Sequence, residues 1–69
     1  MEIKLARYRH YKGNIYQVIA LAKHSETLED MVIYLDVAHP DKIWARPASM
    51  WNDKITVPSG TVERFTLID

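Results

Sequence analysis

Runs of apolar residues, separated by short polar segments, divide this chain into candidate β-strands. Residues 15–21 and 31–37 are nearly continuous apolar runs, rich in β-branched and aromatic side chains. This composition favours strands, and apolar runs without alternation are typical of strands that are buried on both faces or curled around a core. A helix is the alternative for residues 15–23, because residues 20–22 favour it. The tyrosine, valine and isoleucine of that run pack better on a pleated surface, so we predict a strand.

Turn signals separate these runs from shorter segments that also read as strands. Residues 5–12, 43–46, 54–57 and 64–68 are the shorter segments. The turn signals are Gly13-Asn14, the polar stretch 24–30, the His39-Pro40-Asp41 loop and Pro58-Ser59-Gly60. One helical turn is predicted over residues 48–53, because Pro47 suits its start and Ser49 allows local capping.

About five short strands in 69 residues predict an all-β fold, a small antiparallel barrel or curled sheet. The length allows one domain over residues 1–69. There is no cysteine and hence no disulfide, so we expect stability to come from a core to which the seven aromatic residues contribute. A second subunit in a homodimer is compatible with so small a core but is not required by it.

Composition excludes several functional classes. The nine basic and nine acidic residues balance, which argues against a strongly basic nucleic-acid coat protein. The lack of cysteine excludes a thiol nucleophile and a zinc knuckle. No apolar run approaches the roughly 20 residues that span a bilayer, and the N-terminal residues lack the apolar core of a signal peptide. We therefore expect a cytoplasmic protein that does not act at a membrane.

The charges are distributed unevenly along the chain. Residues 1–24 hold five Lys or Arg and one acid, whereas residues 25–69 hold four Lys or Arg and eight acids. Such asymmetry can mark an anion-binding face. The alternative is that the basic and acidic parts pair with each other across a sheet.

The first candidate site is the block YRHYKG at residues 8–13. It interleaves aromatic rings with Arg9, His10 and Lys12, so it can stack on a ring and neutralise a phosphate. The following Gly13 permits a tight turn beside a ligand. The alternative is a half-buried strand whose tyrosines belong to the core and whose cations are solvated.

The second candidate site is the loop His24-Ser25-Glu26-Thr27 between the two longest apolar runs. Ser25 and Thr27 can shape a turn through bonds to the backbone. That structural interpretation leaves His24 and Glu26 free to act as an acid–base pair. The three histidines show no metal-ligand spacing, so neither a metal nor another cofactor is predicted.

The third candidate site surrounds Arg46, which lies between Trp44 and Trp51. Arginine offers a rigid fork of donors for phosphate or carboxylate, and tryptophan is frequent at recognition surfaces. The structural alternative puts Trp44 and Met50 in the core, which we expect for those two residues. For Arg46, pairing with a nearby acid and binding of a ligand remain open alternatives.

These blocks together resemble the bacterial domain-of-unknown-function family 1653. The likeness rests on YRHYKG (8–13), HSET (24–27), VIY (32–34), WARP (44–47) with Met50, and RF (64–65), in that order. It covers roughly residues 6–65. The resemblance implies a compact all-β domain of SH3-like barrel type and no particular activity. It also implies that the polar blocks form either a shared site or a shared structural network.

We therefore predict a binding module without catalytic residues. Arg9, Lys12, His24 and Arg46 are expected to gather at one end or face and bind a nucleotide, a phosphorylated metabolite or a nucleic acid, near His10 and Glu26. Ser25 and Thr27 would donate hydrogen bonds, and Tyr8, Tyr11 or Trp51 would stack on a ring. The first alternative is a peptide-binding groove formed by Tyr8, Tyr11, Trp44 and Trp51. The second alternative is a small hydrolase that uses His24 and Glu26.

Overall fold

The chain folds into two antiparallel sheets and one short helix. The structure, a computed structural model, describes residues 3–68. Its elements, in chain order, are β1 (Arg7–His10), β2 (Ile15–Lys23), β3 (Asp30–Asp36), β4 (His39–Pro47), a 3-10 helix (Ala48–Met50), β5 (Lys54–Val57), β6 (Gly60–Glu63) and β7 (Phe65–Leu67).

Five strands form the main sheet in the order β4-β3-β2-β1-β7, and β5 pairs with β6 in a separate hairpin. All pairings are antiparallel. The predicted all-β class and the single short helical turn are confirmed. The described chain has seven strands instead of about five, partly because residues 60–63 form a strand of their own before β7 begins.

The turn between β1 and β2 depends on glycine, as the sequence predicts. Gly13 has a φ of +106°, a conformation that side chains with a Cβ disfavour. Its amide donates to the His10 carbonyl at 2.8 Å, and the His10 amide donates to the Asn14 carbonyl at 2.7 Å. These bonds fix the pairing of Tyr8 with Tyr16 in the adjoining strands.

One face of the main sheet carries the core. Val18 pairs with Tyr34, and both side chains are buried. A β-bulge lies between Val18 and Ala20, and bulges bend a strand and increase its twist. Ile19 and Leu21 remain 41% and 50% exposed. The apolar run of β2 therefore belongs to a curled strand and not to one that is buried on both faces.

The curl brings opposite edges of the sheet together. In a flat sheet of this order, β4 and β7 would lie about 19 Å apart. Arg46 on β4 nevertheless places its guanidinium carbon 5.8 Å from the centroid of the Phe65 ring on β7. The two edge strands therefore face each other across the core.

Trp51 fills the core, and this corrects the prediction for Trp44 and Met50. Trp51 is fully buried, whereas Trp44 and Met50 are 51% and 45% exposed. Trp44 lies on β4, which is an edge strand of the main sheet. Trp51 directly follows the 3-10 helix, which directs it back under the sheet.

Two local predictions are also corrected. His39 begins β4 instead of lying in a plain loop, because it pairs with Asp36 across a tight hairpin. The helical turn covers Ala48–Met50 only, and it has no side-chain cap, so Ser49 does not cap it. Pro47 precedes the helix, as the sequence predicts.

Candidate functional site

The HSET block forms the turn between β2 and β3 through side-chain bonds to the backbone. The Nδ1 atom of His24 accepts the amides of Glu26 (3.1 Å) and Thr27 (3.3 Å). The hydroxyl of Thr27 accepts the amide of Glu29 at 3.3 Å. His24 and Thr27 thus shape this turn, whereas the sequence suggested that Ser25 and Thr27 would do so.

This turn is remote from the YRHYKG block. β2 starts at Ile15, which pairs with Arg9, and ends at Lys23 beside His24. Nine residues of strand span about 26 Å. His24, Ser25, Glu26 and Thr27 therefore lie at the opposite end of β2 from Arg9, His10 and Lys12. The expected gathering of all these groups at one end or face of the molecule does not occur.

Three cationic side chains, Lys12, Arg46 and Arg64, lie near the His10 imidazole, and we call these four residues the cationic cluster. Burial lowers the pKa of His10 below its ordinary value of 6.5, and the charges of Arg64, Lys12 and Arg46 lower it further. The Nδ1 atom of His10 accepts the Lys12 amide at 3.2 Å. The imidazole is therefore held neutral at pH 7, with its proton on Nε2.

The cationic cluster has no carboxylate partner among residues 3–68. The ion pair within this part of the chain joins Lys23 to Asp30 (2.5 Å), and the His39 imidazole lies 3.5 Å from the Asp36 carboxylate. Lys23–Asp30 is a cross-strand pair of the kind that the charge asymmetry suggested. The sequence left two alternatives open for Arg46, pairing with a nearby acid or binding a ligand. Within residues 3–68, Arg46 forms no ion pair with an acid.

Three buried N–H donors near the cluster lack an acceptor within residues 3–68. They are Nε of Arg46, Nε of Arg64 and Nε1 of Trp51. A buried donor without an acceptor costs free energy on the order of 1–3 kcal/mol. All three groups donate and none accepts, so the chemistry that would satisfy them is an oxygen acceptor.

Aromatic rings surround the cluster on its inner side. Phe65 lies against His10, with 5.2 Å between ring centroids, and against Tyr16 at 5.8 Å. Burial raises the pKa of Tyr16 above its ordinary value, and the charge of Asp36 adds to the effect. The rings lower the local polarity, which strengthens the field of Arg46 and Arg64 at this point.

A groove of about 350 Å³ lies between the outer face of β1 and the β5–β6 hairpin, and we call it the hairpin groove. Arg9 and Thr66 are cross-strand partners that line it. His10 also lines it, so the groove adjoins the cationic cluster. Its remaining lining residues are Tyr11, Val57, Ser59, Val62 and Glu63.

Two other features of the described residues concern ligands and location. No group of three or more His, Asp or Glu side chains in residues 3–68 is arranged to hold a metal ion. No helix within this range has the length and apolarity to cross a membrane.

Arg64 is the member of the cluster that the sequence prediction missed. It lies at a bend between β6 and β7, where its amide donates to the Asp53 carbonyl and its carbonyl accepts the Tyr11 amide. Strand alternation from Phe65 would place Arg64 on the opposite face of the sheet. The bend breaks that alternation, and nothing in the local sequence indicates it.

Comparison with known proteins identifies the family. The model of the family described as "Protein of unknown function (DUF1653)" matches residues 6–67. The chain belongs to the DUF1653 family. A DUF1653 protein from Bordetella bronchiseptica, known from a crystal structure, has the same fold with a TM-score of 0.85. The two are 30% identical over 97% of this chain and 88% of the other. No curated protein matches the chain.

In this DUF1653 protein, the sequence blocks on which the resemblance rested occupy separate places in the fold. YRHYKG forms β1 and the turn after it, and HSET forms the distant turn between β2 and β3. WARP ends β4, from which Arg46 reaches the YRHYKG block. These blocks therefore combine one structural turn with residues of the cationic cluster.

Proposed function

We propose that this DUF1653 protein is a cytoplasmic bacterial binding module that recognises an anionic ligand at the cationic cluster. The observation that carries this proposal is the pair of buried Nε–H donors on Arg46 and Arg64, which lack an acceptor among residues 3–68. Arginine donors bind phosphate and carboxylate oxygens in a fixed fork geometry. No step of the proposal requires catalysis, a metal or another cofactor.

The position of the cluster supports binding over simple solvation of the charges. Arg46 and Arg64 are half-buried and not freely exposed, and holding like charges close together lowers stability. A neutral His10 among these cations reduces that repulsion. An oxyanion placed against the three cations would reverse the repulsion and accept the Nε–H groups of Arg46 and Arg64.

The curled sheet also supports an SH3-like barrel as the finer description of the fold. The approach of Arg46 to Phe65 joins the two edges of the sheet through side chains. Small barrels recognise ligands at such faces in many proteins. This interpretation is an analogy at the level of the fold, whereas the anion proposal rests on the side chains.

The two alternatives have less support. A peptide groove would need Tyr8 and Trp51 at the surface, but they are 7% and 0% exposed. A hydrolase would need Nδ1 or Nε2 of His24 as a base near the Glu26 carboxylate. Nδ1 is engaged by backbone amides, one of them from Glu26 itself.

Titration with inorganic phosphate, followed by NMR at the side-chain Nε–H signals of Arg46 and Arg64, tests the proposal. We expect both signals to shift as phosphate saturates the site, with affinity falling as salt is added. Arg46→Gln should weaken phosphate binding at least about tenfold, because a hydrogen bond to a charged group contributes about 1.5–3 kcal/mol. Lys42→Gln, an equal charge change at an exposed position of β4, is the control.

Arg46→Lys provides a second test that preserves charge and most of the packing on Phe65. It should bind phosphate more weakly than the wild type and more tightly than Arg46→Gln, because ammonium lacks the planar fork. Equal weakening by Arg46→Gln and Lys42→Gln would refute the proposal. So would Nε–H signals that stay fixed at high phosphate.

A further inference from the structure

The hairpin groove has the size and chemistry to hold more than an anion. Its volume of about 350 Å³ lies at the lower end of the range for small-molecule sites, roughly 300–1,000 Å³. The groove shares His10 with the cationic cluster. A ligand whose anionic group sits on the cluster would therefore extend into this groove.

The side chains of the groove suit a flat ring with polar edges. Tyr11 is 37% exposed and its ring lies 4.6 Å from that of His10, between centroids. Val57 and Val62 supply an apolar surface from the hairpin, and Ser59 and Thr66 supply hydroxyl groups. An aromatic ring flanked by apolar and hydroxyl groups can stack on a nucleobase regardless of the base.

We propose, in an extension that rests on the proposed function, that the hairpin groove holds the base of a nucleoside monophosphate whose phosphate lies on the cationic cluster. Tyr11 provides the stacking surface. The proposal follows from two observations. An exposed aromatic ring, Tyr11, lines a groove of this volume, and the groove shares His10 with the cationic cluster.

Glu63 gives the groove a means of choosing among bases. It is the carboxylate that lines the groove, and it forms no ion pair with any of residues 3–68. A carboxylate only accepts hydrogen bonds and can accept two in parallel. Guanine presents two adjacent donors, the ring N–H and the exocyclic amino group, whereas adenine presents only its amino group. The groove therefore favours guanine.

The test compares inorganic phosphate, guanosine, GMP and AMP by NMR titration at one ionic strength. We expect GMP to bind at least about tenfold more tightly than phosphate, because base stacking on an aromatic side chain contributes a factor of this order. Tyr11→Ala should lower GMP affinity by a larger factor than phosphate affinity, so that the two ligands bind about equally, and Tyr11→Phe should retain GMP affinity.

Glu63→Gln tests the choice of base. GMP should bind more tightly than AMP to the wild type, and the two should bind equally to Glu63→Gln. Glu26→Gln is the matched control, because it removes the same charge at the distant β2–β3 turn. Equal binding of GMP and AMP to the wild type would overturn the role of Glu63.

The outcomes separate the extension from the proposed function. Phosphate binding with no gain in affinity for GMP would overturn the nucleotide proposal and leave the anion site intact. Failure of both phosphate and GMP to bind would overturn both. A single-stranded pentanucleotide with one central guanosine, compared with GMP, distinguishes a nucleotide within a strand from a free one.

Discussion

Trp51 and Phe65 stack face to face, with ring centroids 3.9 Å apart and planes inclined by 4°. Tyr8 and Tyr34 contact the same indole edge-on, at 5.3 and 5.2 Å. Trp51 thereby connects β1, β3 and β7 through one side chain. A domain with so few fully buried residues depends heavily on such a contact.

Replacement of Trp51 should therefore be among the most damaging changes to stability. Trp51→Ala should lower the free energy of unfolding by about 3–5 kcal/mol, the usual cost of deleting a buried aromatic residue. Trp51→Phe should cost much less, because the indole N–H has no acceptor in residues 3–68 to lose. Urea denaturation measures both values. Similar losses for the two variants would show that the N–H has a partner.

His24 should act on stability and not on ligand binding. His24→Ala should lower the free energy of unfolding by about 1 kcal/mol, because two amides of the turn lose their acceptor. His24→Asn should recover part of this loss, since an amide oxygen can replace Nδ1. Phosphate affinity should remain that of the wild type in both variants. Weaker phosphate binding by a stably folded His24→Ala variant would show instead that His24 takes part in binding the anion.

Leu28 is a position where the natural residue reduces stability. It adopts a φ of +64° and is 69% exposed. A left-handed conformation costs a residue with a Cβ roughly 1–2 kcal/mol. Leu28→Gly should therefore raise the free energy of unfolding by about 0.5–1 kcal/mol, despite the greater entropy of unfolded glycine. Thermal and urea denaturation check this, and Leu28→Ala, which keeps a Cβ, should show no comparable gain.

His10 should make stability sensitive to mild acid. Its pKa is lowered in the folded protein, so the unfolded chain binds more protons as the pH falls below about 6.5. This contribution to stability is complete above pH 6.5 and is lost as the pH falls through the folded-state pKa. The charges that face the imidazole are Arg64, Lys12 and Arg46, with Glu63 and Arg9 along the shared groove.

The measurement is the melting temperature between pH 7.5 and 5.5, compared between the wild type and His10→Asn. The wild type should lose more stability over this range than the variant. Phosphate should reduce the difference, because an anion on the cluster favours protonated His10. Parallel curves for the two proteins would contradict the lowered pKa that the half-buried position of His10 and the neighbouring charges produce.

The strands of this fold could be predicted where local composition decides the conformation. β2 and β5 occur where the sequence predicts them, and the turn at Gly13 follows from its conformational freedom. The start of β4 was missed because His39, next to a proline and an aspartate, has the composition of a loop. Its pairing with Asp36 is a hairpin contact that composition does not encode.

The candidate site was predictable only in part. Arg46 and Lys12 were expected to approach each other, and both lie near His10. Which tryptophan enters the core depends on the curl of the sheet, which follows from the bulge in β2 and not from local propensity. The position of His24 could be predicted only once the length of β2 was known, because the nine residues of that strand separate His24 from the YRHYKG block.

Within the described range 3–68, the β5–β6 hairpin shares no ladder of hydrogen bonds with the main sheet, yet it supplies Val57, Ser59, Val62 and Glu63 to the groove. Residues 54–63 include neither the buried aromatic residues of the core nor the arginines of the cluster. Relatives that keep one scaffold could thus diverge in the molecules they select by varying ten residues, 54–63. Grafting that segment between homologues offers a direct way to exchange selectivity without redesigning the rest of the domain.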